Sequence, residues 1–270
     1  MNLKALQALN GQGQVSVLKE KIEKTYPWLF ALGMAVAELL VTVKPWSGIV
    51  LHMLILAGLL IVSAYAYEKP RSKLYIALTL GPLIRILSLS LPHLPRIYWY
   101  AAVSFPLLAG ALVVARLNSY SLADMGLRWG NWRKNTIIHI LTCLSGIPLG
   151  IAEYFILRPE PIFKTFNPVE FILPALIFLI CTGFTEEFIF RGIMYRAAAD
   201  FLSPKNSIFL ISFVFAALHI THLSLIDVAF VFAVAVYFTL VVKWTGSIIG
   251  VTIAHGITNI SLYLIWPYFF

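Results

Sequence analysis

The stretch GIVLHMLILAGLLIVSAYAY, residues 48–67, decides the class of fold. It contains no Asp, Glu, Lys or Arg, and about 20 such residues are what an α-helix needs to cross a hydrocarbon layer of about 30 Å. Similar runs recur along all 270 residues. Because 60% of the chain is hydrophobic and only 12% is charged, the polar residues are too few to cover a water-soluble domain. The sequence therefore predicts a polytopic membrane protein.

The apolar runs are continuous, whereas a transmembrane β-barrel would show short segments of alternating polarity. We therefore predict an all-α transmembrane helical bundle of about nine spans, within a range of eight to ten. The predicted limits are 28–43, 48–67, 74–90, 98–114, 136–157, 169–190, 207–224, 226–242 and 247–263.

Basic residues are distributed unevenly over the predicted loops. Fifteen of the 20 Lys and Arg residues fall on the side that holds the N-terminus, and four fall on the other side. Loops rich in Lys and Arg stay in the cytoplasm, so we predict a cytoplasmic N-terminus in an integral multi-pass protein of the cell membrane. The net charge of +8 then reflects topology. The expected partner is the lipid bilayer and not nucleic acid, because the basic residues do not cluster on one face.

The longest polar stretch, residues 116–135, divides the chain. It mixes tryptophan with basic residues, as expected for a segment at the lipid headgroups. We predict an N-terminal four-helix membrane region with this interfacial segment over 1–135, and a membrane core over 136–270 that the residues described next make the candidate catalytic core.

The segment CTGFTEEFIFR, residues 181–191, places two carboxylates and an arginine at the end of a predicted span. Each charge at the centre of a bilayer costs about 2.5–3.5 kcal/mol, so a mere scaffold would avoid them. Glu187 and Arg191 are four residues apart and can form an ion pair on one helix face. Glu186 points about 100° away and has no such partner, which makes it the candidate general base. The charge count places this end of the span toward the cytoplasmic side, and the active site is expected there.

Two later spans carry histidines within apolar sequence. His219 lies in FVFAALHITH, residues 213–222, although a single membrane histidine can also serve only in helix packing. His255 and Asn259 are four residues apart, so their N–H groups can converge on an oxyanion. A base, a histidine and a donor pair on three helices are what water attack on a carbonyl carbon requires.

At these residues the sequence resembles the CAAX prenyl endopeptidase and bacteriocin-processing family of intramembrane glutamate proteases. The family motifs are Glu-Glu-x-x-x-Arg, Phe-x-x-x-His and His-x-x-x-Asn, each on its own transmembrane helix. All three occur here in order, as Glu186, Glu187 and Arg191, then Phe215 and His219, then His255 and Asn259. The resemblance covers residues 136–260, and relatives often carry extra helices ahead of this core.

The resemblance implies a metal-independent endopeptidase without a cofactor. Glu186 with His219 would activate the attacking water, and His255 with Asn259 would stabilise the oxyanion. The supporting residues of the motifs would be Glu187, Arg191 and Phe215. In eukaryotic relatives the substrate is a prenylated protein that loses its last three residues. The implied partner is a membrane-anchored peptide or protein, of which a prenylated CAAX-type protein is one form.

Several alternatives stay open at this point. Glu186, His219, His222 and His255 could together bind zinc, and a chelator titration distinguishes that site from metal-free chemistry. The same fold could also serve a non-proteolytic binding or immunity-type protein, which does not need a complete base and donor set. A proton-coupled transporter would use buried Glu and His as well, but no matching pair of broken helices is visible in two halves of the chain.

Overall fold

The computed structural model describes residues 3–270 except 68 and 93, and it describes side chains from residue 21 onward except at 68, 93, 96 and 132. The chain is 80% helical, and its described residues form no strand. Nine helices within this part are long and apolar enough to cross a membrane. The predicted all-α bundle of about nine spans is therefore confirmed.

The spans are formed by ten α-helices. They are α1 (Leu3–Val43), α2 (Pro45–Tyr65), α3 (Pro70–Leu78), α4 (Leu80–Ser90), α5 (Arg96–Leu117), α6 (Trp132–Leu157), α7 (Ile172–Ala199), α8 (Pro204–Ala217), α9 (Leu225–Thr245) and α10 (Ile249–Ile260). Helices α3 and α4 share the third span, because Pro82 has no N–H for the carbonyl of Leu78 and the helix is interrupted between them. A 3₁₀ turn at Ile220–His222 extends the span of α8.

Caps and prolines set the limits of several helices. Proline stands in the first turn of α2, α3 and α8, where its missing N–H leaves no helical bond unmade. At the start of α9, the hydroxyl of Ser224 accepts a hydrogen bond from the N–H of Asp227. The same helix ends at Gly246 with a φ of +66°, a left-handed conformation that glycine adopts without a Cβ clash.

Helix α7 carries the adjacent carboxylates and extends well past its predicted end. The hydropathy pattern predicts that this span ends at residue 190, and that limit is wrong, because the helix continues to Ala199. The added turns are held by core packing, since Ile193 and Met194 are fully buried. Glu186 therefore lies in the middle of the span. It is part of a short α-helical segment between two π-helical ones, an irregularity that is frequent at functional sites.

Hydrophobic side chains divide into a shared core and an outer surface. One buried cluster contains Met34 of α1 together with Phe190 of α7 and Val251 of α10. On the outside of α1, Leu32 and Leu39 are exposed, as expected where acyl chains surround the protein. The first four spans thus pack against the helices that carry the motifs, while the division of the chain at residue 135 stays a prediction.

The loops lie at two ends of the bundle. The loops after α2, α5, α7 and α9 form one end, called the basic face below. There, Asn118 Nδ2 donates to the carbonyl of Lys73 at 3.1 Å, and the Tyr120 hydroxyl donates to Asp200 at 3.2 Å. The loops after α1, α4, α6 and α8 form the other end, called the opposite face. Most Lys and Arg residues lie at the basic face, which is where a cytoplasmic N-terminus would place them.

Candidate active site

Glu187 and Arg191 form a buried ion pair on α7. Arg191 Nη1 donates to Glu187 Oε1 at 2.8 Å, and the two side chains are at most 1% exposed. Arg191 also donates to the carbonyl of Ala235 on α9 at 3.2 Å, and its guanidinium lies 4.6 Å from the ring centre of Phe215 on α8. Buried charges persist only with such partners. The pair that the four-residue spacing permits is present, and it joins α7 to α8 and α9.

His255 of α10 lies between the two adjacent carboxylates. Its Nδ1 donates to Glu187 Oε1 at 2.8 Å, and its Nε2 lies 3.8 Å from Glu186 Oε2. An ionised carboxylate only accepts hydrogen bonds, so the ring hydrogen at Nδ1 is already engaged. Nε2 can then donate to an oxyanion only when the imidazole is protonated. This requirement could not be read from the spacing of His255 and Asn259.

Glu186 differs from Glu187 in that it faces open space. Its side chain is 33% exposed, and it lines two cavities of about 130 Å³ and 270 Å³, called the smaller and the larger cavity below. His219 and His222 line both cavities as well. Glu186 therefore has the position expected of a carboxylate that is free to act on a bound molecule.

His219 lies immediately after α8, where the chain enters the 3₁₀ turn. Its Nδ1 donates to the carbonyl of Phe215 at 2.9 Å, which leaves Nε2 as the ring nitrogen able to accept a proton. The predicted limits of the spans placed His219 too deep to meet Glu186. The structure resolves this conflict, because α8 ends early at Ala217 and Glu186 lies in mid-helix.

Helix α4 of the N-terminal region reaches the turn that carries His219. Arg85 Nη2 donates to the carbonyl of Leu218 at 2.7 Å and to the hydroxyl of Thr221 at 3.2 Å. The same guanidinium binds the fully buried carboxylate of Glu38, with Nε donating to Oε1 at 2.9 Å. Two intramembrane charges of the first four spans are thus connected to the backbone carbonyl before His219 and to a side-chain hydroxyl after it.

Asn259 lies one turn after His255 and lines the smaller cavity. It donates one N–H to the hydroxyl of Thr182 at 2.8 Å, which leaves a second amide N–H for another acceptor. Glu186, His219, His255 and Asn259 all line this cavity. The structure therefore brings together the four residues that the motifs predicted as catalytic, and the supporting Phe215 is in the same wall.

Two acidic side chains of the site were not among the predicted residues. Glu153 of α6 lines the smaller cavity, and Asp227 of α9 accepts a hydrogen bond from His222 Nδ1 at 2.8 Å. The sequence does mark Glu153 as a candidate functional residue, because it is an ionisable residue within an apolar run. Asp227 lies at the predicted start of a span, so its burial against His222 gave no signal in the sequence.

A zinc site can be tested on the arrangement of possible ligands. Throughout the described ranges, no three of the His, Cys, Asp and Glu side chains are placed so that they could hold a metal ion. The zinc alternative therefore has no support in the placement of the described side chains.

Comparison with known proteins adds an independent observation. Residues 168–261 match the family described as type II CAAX prenyl endopeptidase, Rce1-like. This region is therefore similar to the type II CAAX prenyl endopeptidase family. The match includes all three motifs and confirms the family resemblance. No curated protein and no solved structure matches the chain significantly.

The matched region spans about a third of the chain. It begins at residue 168, later than the residue 136 at which the motifs suggested that the resemblance starts. Helix α6 and Glu153 therefore lie outside the matched region. The matched family is one of proteases, so the similarity supports a hydrolase that acts on peptides at the membrane.

Proposed function

We propose that this protein is an intramembrane endopeptidase that hydrolyses a peptide bond of a membrane-anchored substrate with water activated by Glu186 and His219. The observation that supports this most directly is the single cavity lined by both residues together with His255 and Asn259. Similarity to the family supports peptide hydrolysis in general. Prenylated CAAX-type proteins are one substrate class that the family suggests.

The acid–base steps follow from the hydrogen bonds at the site. The Glu186 carboxylate and His219 Nε2 are both acceptors that face the cavity, so a water molecule between them would donate a hydrogen to each. One of these groups takes a proton as the water oxygen attacks the carbonyl carbon. That proton then moves to the leaving amine when the peptide C–N bond breaks. No metal ion is needed for these steps.

The negative charge that develops on the carbonyl oxygen of the substrate requires hydrogen-bond donors. The free N–H of Asn259 is one donor. His255 would be the second in its protonated form, donating through Nε2 while Nδ1 stays bonded to Glu187. Glu187 and Arg191 would fix the orientation of His255 rather than contact the substrate. Oriented donors in a site shielded from water are usually the largest contribution to such catalysis.

Substitutions of His219 and Asn259 separate these roles. We expect His219→Ala to abolish turnover, whereas Asn259→Ala should retain slow cleavage, reduced about 100- to 1000-fold by the loss of one oxyanion donor. Cleavage of membrane-anchored peptides by purified protein, followed by mass spectrometry, measures both. The matched control is Asn167→Ala, in the loop after α6, which should cleave at the wild-type rate. An Asn259→Ala variant as active as the wild type would remove the proposed donor.

We further propose that the smaller cavity opens toward the non-cytoplasmic side. Its lining includes Tyr100 near the start of α5, Glu153 near the end of α6 and His222 after α8, all of which are near the opposite face. Since the basic face is the cytoplasmic one by its Lys and Arg content, the opposite face is directed away from the cytoplasm. The expectation of a cytoplasmic site depended on the predicted end of α7 at residue 190.

Thiol labelling tests this orientation. Cys181 lines the larger cavity, so in a Cys143→Ala background a membrane-impermeant thiol reagent should label it in intact cells. A cysteine introduced as Lys205→Cys into the Cys143→Ala/Cys181→Ala background, at the basic face, should be labelled only after permeabilisation. Labelling of Lys205→Cys in intact cells, with Cys181 protected, would reverse the proposed orientation.

A further inference from the structure

Glu153 is held in the smaller cavity by close packing of α6 against α10. At Gly150 the two helices are too close for any larger residue. A Cβ there would lie 2.5 Å from the Cβ of Ser261 and 2.7 Å from the carbonyl oxygen of Thr258. A Cβ on Gly146, one turn earlier, would likewise lie 2.5 Å from the carbonyl oxygen of Ala254. Small residues at this spacing are typical of close helix pairs in membranes. Glu153 follows on the next turn and is only 8% exposed.

Glu153 lacks the partner that other buried acids of the spans have. Glu38 is paired with Arg85, Glu187 with Arg191 and His255, and Asp227 with His222. Among the described residues, by contrast, no hydrogen bond or ion pair is formed by the Glu153 carboxylate, and its side chain lines the smaller cavity. A buried carboxylate without a partner is costly. The missing partner is therefore to be sought in what enters the cavity.

The carboxylates near Glu153 favour a positive charge, whereas His255 and His222 oppose it when they are protonated. The charged and titratable groups that act on it are Asp227, Glu186, His255 and His222, and the described lining residues of the smaller cavity include no Lys or Arg. Tyr100, Phe230 and Tyr263 form part of the wall, and aromatic rings stabilise cations. Two carboxylates, Glu153 and Glu186, thus line the same cavity of about 130 Å³.

We propose that Glu153 binds a cationic group of the substrate, the ammonium or guanidinium of a Lys or Arg side chain close to the scissile bond. The proposal depends on the proposed function for the identity of the substrate, but binding of the cation does not require cleavage. Because Glu186 lines the same cavity, a cation at Glu153 would place the neighbouring peptide bond within reach of the proposed base. Specificity for a basic residue would then come from α6, outside the matched family region.

Binding of two matched probes tests the proposal without any need for turnover. The cationic probe is N-lauroyl-1,5-diaminopentane, and the neutral probe is N-lauroyl-pentylamine, which lacks the terminal amine. Dissociation constants are measured on the full chain in nanodiscs, and mass spectrometry verifies that both probes stay intact. The wild type should bind the cationic probe at least about tenfold more tightly, since a charge-assisted hydrogen bond is replaced by nothing in the neutral probe.

Variants locate this preference. Glu153→Gln should reduce the preference for the cationic probe to less than about twofold. Glu153→Asp should give an intermediate preference, because its carboxylate is one methylene further away. Glu160→Gln, in the exposed loop after α6, should keep the wild-type preference. Equal affinity of the wild type for both probes would overturn the proposal, even if Glu153→Gln failed to fold. A preference that survives in folded Glu153→Gln would overturn it too. If the wild type prefers the cationic probe but cleaves no peptide, the result would count against the protease function alone.

Discussion

Glu186→Gln is expected to lower the rate of peptide cleavage by about 10²- to 10⁴-fold, the contribution typical of a general base. Gln keeps the shape of the side chain but cannot take a proton from water. The fold should be little affected, because Glu186 is 33% exposed in the cavity and its nearest charged partner, His255 Nε2, is 3.8 Å away. The thermal unfolding midpoint of the variant should therefore stay near that of the wild type while cleavage is lost.

Glu160→Gln is the matched control for this experiment, since Glu160 is an exposed acid at the opposite face. It should cleave membrane-anchored peptides at the wild-type rate. Undiminished cleavage by Glu186→Gln would remove the proposed base. If the wild type itself cleaves nothing and both proteins bind the same peptide equally, the non-proteolytic binding or immunity-type function would be the better description.

Much of the fold was predictable because the membrane limits the choices. A chain that must satisfy every backbone group within lipid forms helices of a fixed length, so the nine predicted apolar runs correspond to nine candidate spans among the described residues. The limits of the spans were less predictable. Hydropathy assigns a charged segment to the end of a helix, whereas α7 continues through Arg191 because that arginine is paired with Glu187 inside the protein.

At the site, too, contacts within one helix can be predicted from the sequence, whereas contacts between distant helices cannot. The ion pair of Glu187 with Arg191 follows from positions on one helix. The bond from His255 to Glu187 joins residues 68 positions apart, and nothing in the sequence indicates which carboxylate His255 meets. Glu153 could have been noticed as an acid in an apolar run, but that it has no partner is visible only once α6 and α10 are seen to pack together.

The second large effect is expected at the buried pair of Glu38 and Arg85. Arg85→Met leaves the Glu38 carboxylate, which is 0% exposed, without its guanidinium. Removing one member of a buried pair costs about 3–5 kcal/mol, so the thermal unfolding midpoint in detergent should fall steeply. Ser72→Ala is a suitable control, because it removes only a hydroxyl that bonds Ser63 at the basic face.

The double variant Glu38→Leu/Arg85→Met separates stability from positioning. With both charges gone, most of the lost stability should return, since replacing a buried ion pair by apolar residues is often neutral. Activity should not return. Arg85 also donates to the carbonyl of Leu218, and without that bond the turn that carries His219 can shift; a displacement of about 1 Å can cost about 10²-fold in rate. A stable double variant with wild-type cleavage would mean that the first four spans only anchor the protein. A stable but slow variant, with an unchanged KM, would mean that α1 and α4 hold a catalytic histidine in place.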